Sequence, residues 1–116
     1  MNIKITFKDM THSAMMEEHA NKQLEKVVNF LVHEPDPVHI ELVFAPSKVH
    51  EHHKVEMLVK SPNYDEFVSY EKEGEPFYKT LDHVIDVMYR NLHKAKERRI
   101  DERKTQGRHE DFKKQR

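Results

Sequence analysis

Residues 38–72 read VHIELVFAPSKVHEHHKVEMLVKSPNYDEFVSYEK. Val38, Ile40, Leu42 and Phe44 alternate with His39, Glu41, Val43 and Ala45, which predicts a strand with one buried face. Ala45-Pro46-Ser47 closes it. In the next strand Val55, Met57 and Val59 face inward, while Lys54, Glu56 and Lys60 face outward. Ser61-Pro62-Asn63 is a turn. Residues 64–72 supply a further strand with Val68 and Tyr70 on its core face and Phe67 as the competitor. Short links between the three strands predict an antiparallel meander.

On the N-terminal side, Ile3, Ile5 and Phe7 alternate with Lys4, Thr6 and Lys8, which reads as another half-buried strand. Thr11 or Ser13 then offers a hydroxyl to the unpaired amides of a first helical turn, with Glu17 and Glu18 near its positive end. Met16, Ala20, Leu24, Val27, Val28 and Leu31 recur at steps of three and four and form one apolar stripe. Lys22 and Lys26 lie opposite it. Pro35 and Pro37 stop this helix by Glu34.

On the C-terminal side, Gly74-Glu75-Pro76 opens a second helix with Pro76 at the first helical position, where a missing amide costs nothing. Phe77, Leu81, Val84, Ile85, Met88 and Leu92 make its stripe. The helical pattern persists to about Arg103, but its apolar anchors end at Leu92 and Ala95. The strand–helix–strand start predicts a parallel pair with a right-handed crossover. Both stripes must then cover the same sheet face. The expected fold is α+β, a two-layer β-α-β-β-β-α sandwich of four strands with two helices on one face. Residues 1–104 form one domain and residues 105–116 a mobile basic tail.

The chain of 116 residues is long enough for one core, since a domain of this size buries roughly two-thirds of its unfolded surface. With 36% hydrophobic and 35% charged residues that core is thin. The absence of cysteine excludes disulfides, thiol catalysis and cysteine-based zinc sites. Two glycines, Gly74 and Gly107, are too few for a phosphate-cradling loop. No apolar run suits a membrane span, and no apolar stretch follows Met1-Asn2-Ile3-Lys4, so a soluble cytoplasmic protein is expected.

The formal net charge of −1 hides an asymmetry. Residues 1–89 hold 9 Lys+Arg against 16 Asp+Glu, a net of −7. Residues 90–116 hold 11 against 5, a net of +6. Such a split reads either as a basic arm that meets a polyanion or as a solvated helix end. On the second helix Lys79, His83, Arg90 and Lys94 lie near the side opposite the buried stripe, and Arg98 lies toward that same side. A basic stripe facing away from a core follows phosphates by releasing their counterions. Lys22 and Lys26 extend it if the helices lie side by side. Lys96, Arg98, Arg99, Arg103 and Lys104 form the densest basic run. The RNA-binding candidates are therefore Lys22, Lys26, Lys79, Arg90, Lys94, Lys96, Arg98 and Arg99. Asp86 and Glu97 interrupt the stripe, and the alternative is a surface held by local pairs such as Asp86 with Arg90.

Ten histidines raise a metal reading, with His50, His52 and His53 clustered and His39 across the sheet. The spacing is not that of a helical zinc motif, and no third ligand is fixed beside them, so solvated histidines and no metal or other cofactor are expected. The serines lack a nucleophile-elbow context. Asp82 and Asp86, one turn apart, fit the charge pattern of an exposed face better than acid–base work. Tyr78 and Tyr89 fit the edge of the buried stripe better than base stacking. No enzyme is indicated.

Four segments together resemble the ribosome hibernation-promoting factor and ribosome-associated inhibitor family, in its short, sigma-54-modulation-protein-like form. They are Asn2-Ile3-Lys4-Ile5-Thr6, Glu18-His19 through Leu24-Glu25-Lys26-Val27, His53-Lys54-Val55-Glu56-Met57, and Glu73-Gly74-Glu75-Pro76-Phe77-Tyr78-Lys79-Thr80-Leu81-Asp82. The resemblance covers about residues 1–100. Lys26 matches a lysine the family retains, while Gln23 and Val87 stand where lysines are common. The resemblance implies a sandwich similar to double-stranded RNA-binding domains. It also implies a non-catalytic protein, monomeric when free, whose partner is the small ribosomal subunit and its rRNA. There it would occupy the mRNA/tRNA channel and silence translation in stress or stationary phase. The alternatives are a stand-alone structured-RNA-binding module and a histidine-metal protein.

Overall fold

The computed structural model describes residues 1–46 and 53–114, with side chains described through residue 103. The elements run β1 (Asn2–Phe7), α1 (Ala14–Leu31), β2 (His39–Pro46), β3 (His53–Lys60), β4 (Asp65–Glu71) and α2 (Phe77–Lys114). The sheet order is β1-β2-β3-β4, with β1 parallel to β2 and the other pairs antiparallel. The parallel pair requires a crossover, and α1 supplies it. The expected α+β sandwich is the observed one.

Register follows from the alternation. Ile3, Ile5 and Phe7 stand beside Ile40, Leu42 and Phe44, and Met57 stands between Leu42 and Val68. A slip by one residue would turn these rows to solvent, although Ile3, near the start of the edge strand, is already 42% exposed while Ile5 and Phe7 pack against the core. On β4 the core face is Val68, buried, and Tyr70, half-buried, while Phe67 points away and is 59% exposed. Leu24, Val27 and Leu31 of α1 and Leu81, Ile85, Met88 and Leu92 of α2 complete one buried cluster with the inner strand rows. Each such side chain contributes about 1.5–3 kcal/mol when fully buried.

The helix ends are set locally. Ser13 caps α1, its hydroxyl accepting from the Met16 amide at 3.3 Å. Gly74 takes φ +75°, a conformation open to glycine. Pro76 is not the first residue of α2, as the sequence suggested. It precedes Phe77, and its carbonyl accepts the Thr80 amide at 3.2 Å. The buried Thr80 hydroxyl lies 3.4 Å from both the Glu75 carboxylate and the Pro76 carbonyl and shares its one proton between them. This wires the turn to the helix start.

α2 has 38 residues. At 1.5 Å per residue it is about 57 Å long, which explains the 66 Å longest dimension of the molecule. Its backbone carries on to Lys114, past the Arg103 at which the sequence pattern stops. Among the described residues Leu92 is the last that is fully buried, Ala95 and Arg99 are half-buried, and Ile100 to Arg103 are exposed. The side chains of the expected tail lie outside the described residues.

Candidate nucleic-acid interface

The two helices lie side by side on the sheet, so the surface they turn outward is continuous. Three residues of α1 that face α2 form the seam. His19 meets Asp82, with Nε2 and Oδ1 3.0 Å apart, and packs edge-on against Tyr78 at 5.0 Å. Lys26 pairs with Asp86 and lies 5.4 Å from the centre of the Tyr89 ring. Phe30 packs against Tyr89 and His93, and the Lys96 ammonium lies 5.7 Å from its ring centre. Tyr78 and Tyr89 thus sit in ring contacts at the edge of the buried stripe, as expected.

The local Asp86–Arg90 pair is corrected by this geometry. The Asp86 carboxylate goes to Lys26 on the other helix, while Arg90 Nε donates to the Asp86 backbone carbonyl at 3.4 Å. A guanidinium one turn away on the same helix is not favoured over an ammonium group facing the carboxylate across a helix pair. Lys22 stands one turn from Lys26 on the exposed side of α1. On α2, Lys79, Arg90 and Lys94 recur on the outward face, and Arg98 follows Lys94 by one turn. Among the described residues Lys22, Lys79, Lys94 and Arg98 enter no ion pair and are exposed. The structure therefore brings Lys22, Lys26, Lys79, Arg90 and Lys94 onto one helical surface, interrupted by Asp82, Asp86 and Glu97.

Arg99 stands apart from them. It continues the line of Leu92 and Ala95 rather than the outward stripe. Its Nη2 donates to the Tyr64 hydroxyl at 3.2 Å, and its guanidinium carbon lies 4.9 Å from the Tyr64 ring centre. Its Nε and Nη1 are buried without hydrogen-bond partners among the described residues. Burial pushes the Tyr64 hydroxyl above the usual tyrosine range, and the Arg99 charge pulls the other way. Glu34 accepts from Ser61 Oγ at 3.1 Å and Asn63 Nδ2 at 3.4 Å, tying the end of α1 to the β3–β4 turn that carries Tyr64. The packing role of Arg99 was missed in the sequence, although its three-and-four spacing from Leu92 and Ala95 signals it.

The histidines are dispersed. His53 stacks on Phe77 with ring centres 3.8 Å apart. It sits opposite Pro46 at one end of β2, whereas His39 is opposite Lys60 at the other end. An eight-residue strand separates the two, so His39 is not a fellow ligand of His53. His50 and His52 lie outside the described residues. Among the described residues no three His, Asp or Glu side chains are grouped to hold a metal ion. No helix among them is long and apolar enough to cross a membrane.

A family profile described as Sigma 54 modulation protein / S30EA ribosomal protein matches residues 3–100. The chain belongs to this family. No curated protein matches its sequence. Among solved structures it is similar to the N-terminal domain of Thermus thermophilus Protein Y. There the identity is 16% and the TM-score 0.62, over 79% of this chain and 96% of that one. It is also similar to a ribosomal subunit interface protein from Coxiella burnetii, with 23% identity and a TM-score of 0.64, over 83% of this chain and 98% of that one. At such identities the two likenesses speak for the fold. The family membership rests on the profile, which spans the sheet from Ile3 on, all of α1, and α2 through Ile100.

Proposed function

We propose that this protein is a non-catalytic, cytoplasmic ribosome-binding protein. It enters the mRNA/tRNA channel of the small subunit and silences translation in stress or stationary phase. The observation that carries this reading is a family match over residues 3–100 on a chain whose paired helices gather Lys22, Lys26, Lys79, Arg90 and Lys94 on one outward surface. Relatives of the same fold include one named for the ribosomal subunit interface.

Inhibition by such a protein is occupancy. Each lysine or arginine that neutralises an rRNA phosphate releases counterions, so the basic surface supplies affinity without chemistry. The bulk of the sandwich then excludes tRNA and mRNA from the same space. Lys96 and Arg98 carry the contact along α2 as the helix leaves the body. Arg99 adds its charge while holding α2 on Tyr64. Residues 1–104 act as the binding domain, monomeric when free. Residues 105–116 act as a basic tail whose contribution is small, since fixing its side chains on rRNA costs entropy.

Sedimentation with purified small subunits, paired with translation in a purified system, tests the reading. Co-sedimentation with subunits and dose-dependent inhibition are expected. Equal affinity for free structured RNA without inhibition would replace it by a stand-alone RNA-binding module.

A further inference from the structure

The occupancy mechanism uses none of the ten histidines, yet three of them stand on or beside the outward helical surface. His83 is exposed on the outward line of α2, one turn after Lys79 and two turns before Arg90. Its ring centre lies 4.1 Å from that of Tyr70 on β4. His93 follows Arg90 by three residues and packs against Tyr89 at 4.5 Å and, across the seam, against Phe30 at 4.8 Å. His19 precedes Lys22 by three residues, reaches Asp82 at 3.0 Å and meets the Tyr78 ring. Each imidazole is therefore held by a ring contact within one turn of a cation of the basic surface. The charged groups around them are few in kind. One turn from His83 are Lys79 and Asp86 on its own helix, with the Tyr70 phenol facing it from β4. One turn from His93 are Arg90, Lys96 and Glu97, and α1 offers it the uncharged Phe30. His19 has Lys22 on its own helix and Asp82 and the Tyr78 phenol facing it from α2.

We propose that polyanion binding on the helical surface is coupled to proton uptake by His19, His83 and His93, so that the protein holds RNA more tightly as pH falls. The inference rests on the reading of that surface as rRNA-binding and adds its regulation. Imidazole is the side chain whose charge ordinarily changes between pH 5 and 8. A phosphate run that follows Lys79 to Arg90 passes His83, and a negative charge beside an imidazole favours its protonated form. The bound state then holds more protons than the free one, and affinity falls as pH rises. At His19 the proton acts twice, adding a charge and turning Asp82 into the partner of a cation instead of a carboxylate facing phosphate. Lysine and arginine stay charged throughout this range, so a stripe of them alone has no such dependence. Because Asp82, Asp86 and Glu97 interrupt the five cations of the surface, a few added charges are a large change there.

Binding of the full chain to a structured RNA hairpin without terminal phosphates, at about pH 7.5 and 6.0 and constant ionic strength, tests the proposal. Phosphodiesters do not titrate in this range, so the dependence reports the protein. Affinity is expected to rise about tenfold on acidification, and the salt dependence to steepen. Calorimetry in two buffers of different ionisation enthalpy should register about one to two protons taken up per hairpin bound. His83→Gln, at an exposed position, should lose part of the gain. His19→Gln, His83→Gln and His93→Gln together should lose most of it. His39→Gln, on the opposite face of the sheet, should lose none. Equal affinity at the two pH values without proton uptake, or the full gain retained in both His83→Gln and the triple variant, would overturn the proposal and leave the RNA reading standing. A hairpin bound at neither pH removes the RNA reading, and this inference with it.

Discussion

α2 is one helix with two unlike halves. From Phe77 to Leu92 every third or fourth residue is buried, and the outward residues between them bear the charges. Past Leu92 the same backbone continues, but the body beneath it ends. His93, Ala95, Lys96 and Arg99 still touch it among the described residues, and Ile100 is 39% exposed. The first half is held by burial, whereas the second is carried by the first. Isolated short helices are marginal in water, so the projecting half depends on continuity with the anchored one. A charge placed on the first half is positioned to within a rotamer, while one on the second half gains reach at the cost of order. This is why Arg90 and Lys94 are better candidates for fixed phosphate contacts than residues further along.

The sharpest break in that comparison comes from burying a charge. Leu92→Asp in the anchored half, like Leu42→Asp on the facing strand, should unfold the protein. An unpaired buried carboxylate costs several kcal/mol against a total of about 5–15. Ile100→Asp in the projecting half should shift stability by no more than about 0.5 kcal/mol. Thermal melts followed by circular dichroism read all three, and a wild-type melt for Leu92→Asp would show that the first half is not anchored.

The next largest effect concerns the outward stripe. With about five phosphate contacts, log K for small subunits should fall against log salt with a slope of roughly −3.5 to −4.5. Changing Arg90, Lys94 and Arg98 together to Gln should flatten that slope by about two to three units, leave the melt intact and relieve inhibition. Truncation after Thr105 should do less, since fixing a tail on rRNA costs ordering entropy. An unchanged slope in the triple variant would reduce the stripe to a solvated surface.

Where the halves meet, Tyr64→Phe removes the acceptor of Arg99 and leaves all the more of a buried guanidinium unpaired. A loss of about 1–3 kcal/mol in chemical denaturation is expected. A neutral result would mean that α2 leaves the body before Arg99.

The smallest effect on stability belongs to the seam. Asp86→Asn breaks an exposed pair, and such pairs contribute about 0–1 kcal/mol. Its effect on binding should have the opposite sign to a lysine deletion. Lys26 is released and a carboxylate leaves the phosphate-facing surface, so affinity for small subunits should rise. A fall would show that Asp86 positions Lys26 rather than competes for it.

The elements of the fold were legible because periodicity is a property of the backbone. Alternation fixed the inner rows of β2 and β3 and chose Val68 and Tyr70 over Phe67. Steps of three and four fixed both helical stripes. Boundaries were less legible: Pro76 fell one residue outside α2, where cap and first turn differ by a single hydrogen bond. The candidate site was legible as a list of exposed cations but not as an arrangement. Arg99 is the instructive member, since its charge suggested the stripe while its position in the apolar line placed it on Tyr64.

The sequence by itself determined the order of elements, the buried face of each, and the split between an acidic body and a basic C-terminal segment. These follow from local geometry and from counting charges. Only the tertiary structure decided who meets whom. His19 and Asp82 are 63 residues apart in the chain, Lys26 and Asp86 are 60, and Tyr64 and Arg99 are 35. Such pairs depend on how one helix is rotated against another and on which sheet face the helices leave uncovered. Both are fixed by packing of the whole core, which no local stretch of sequence contains.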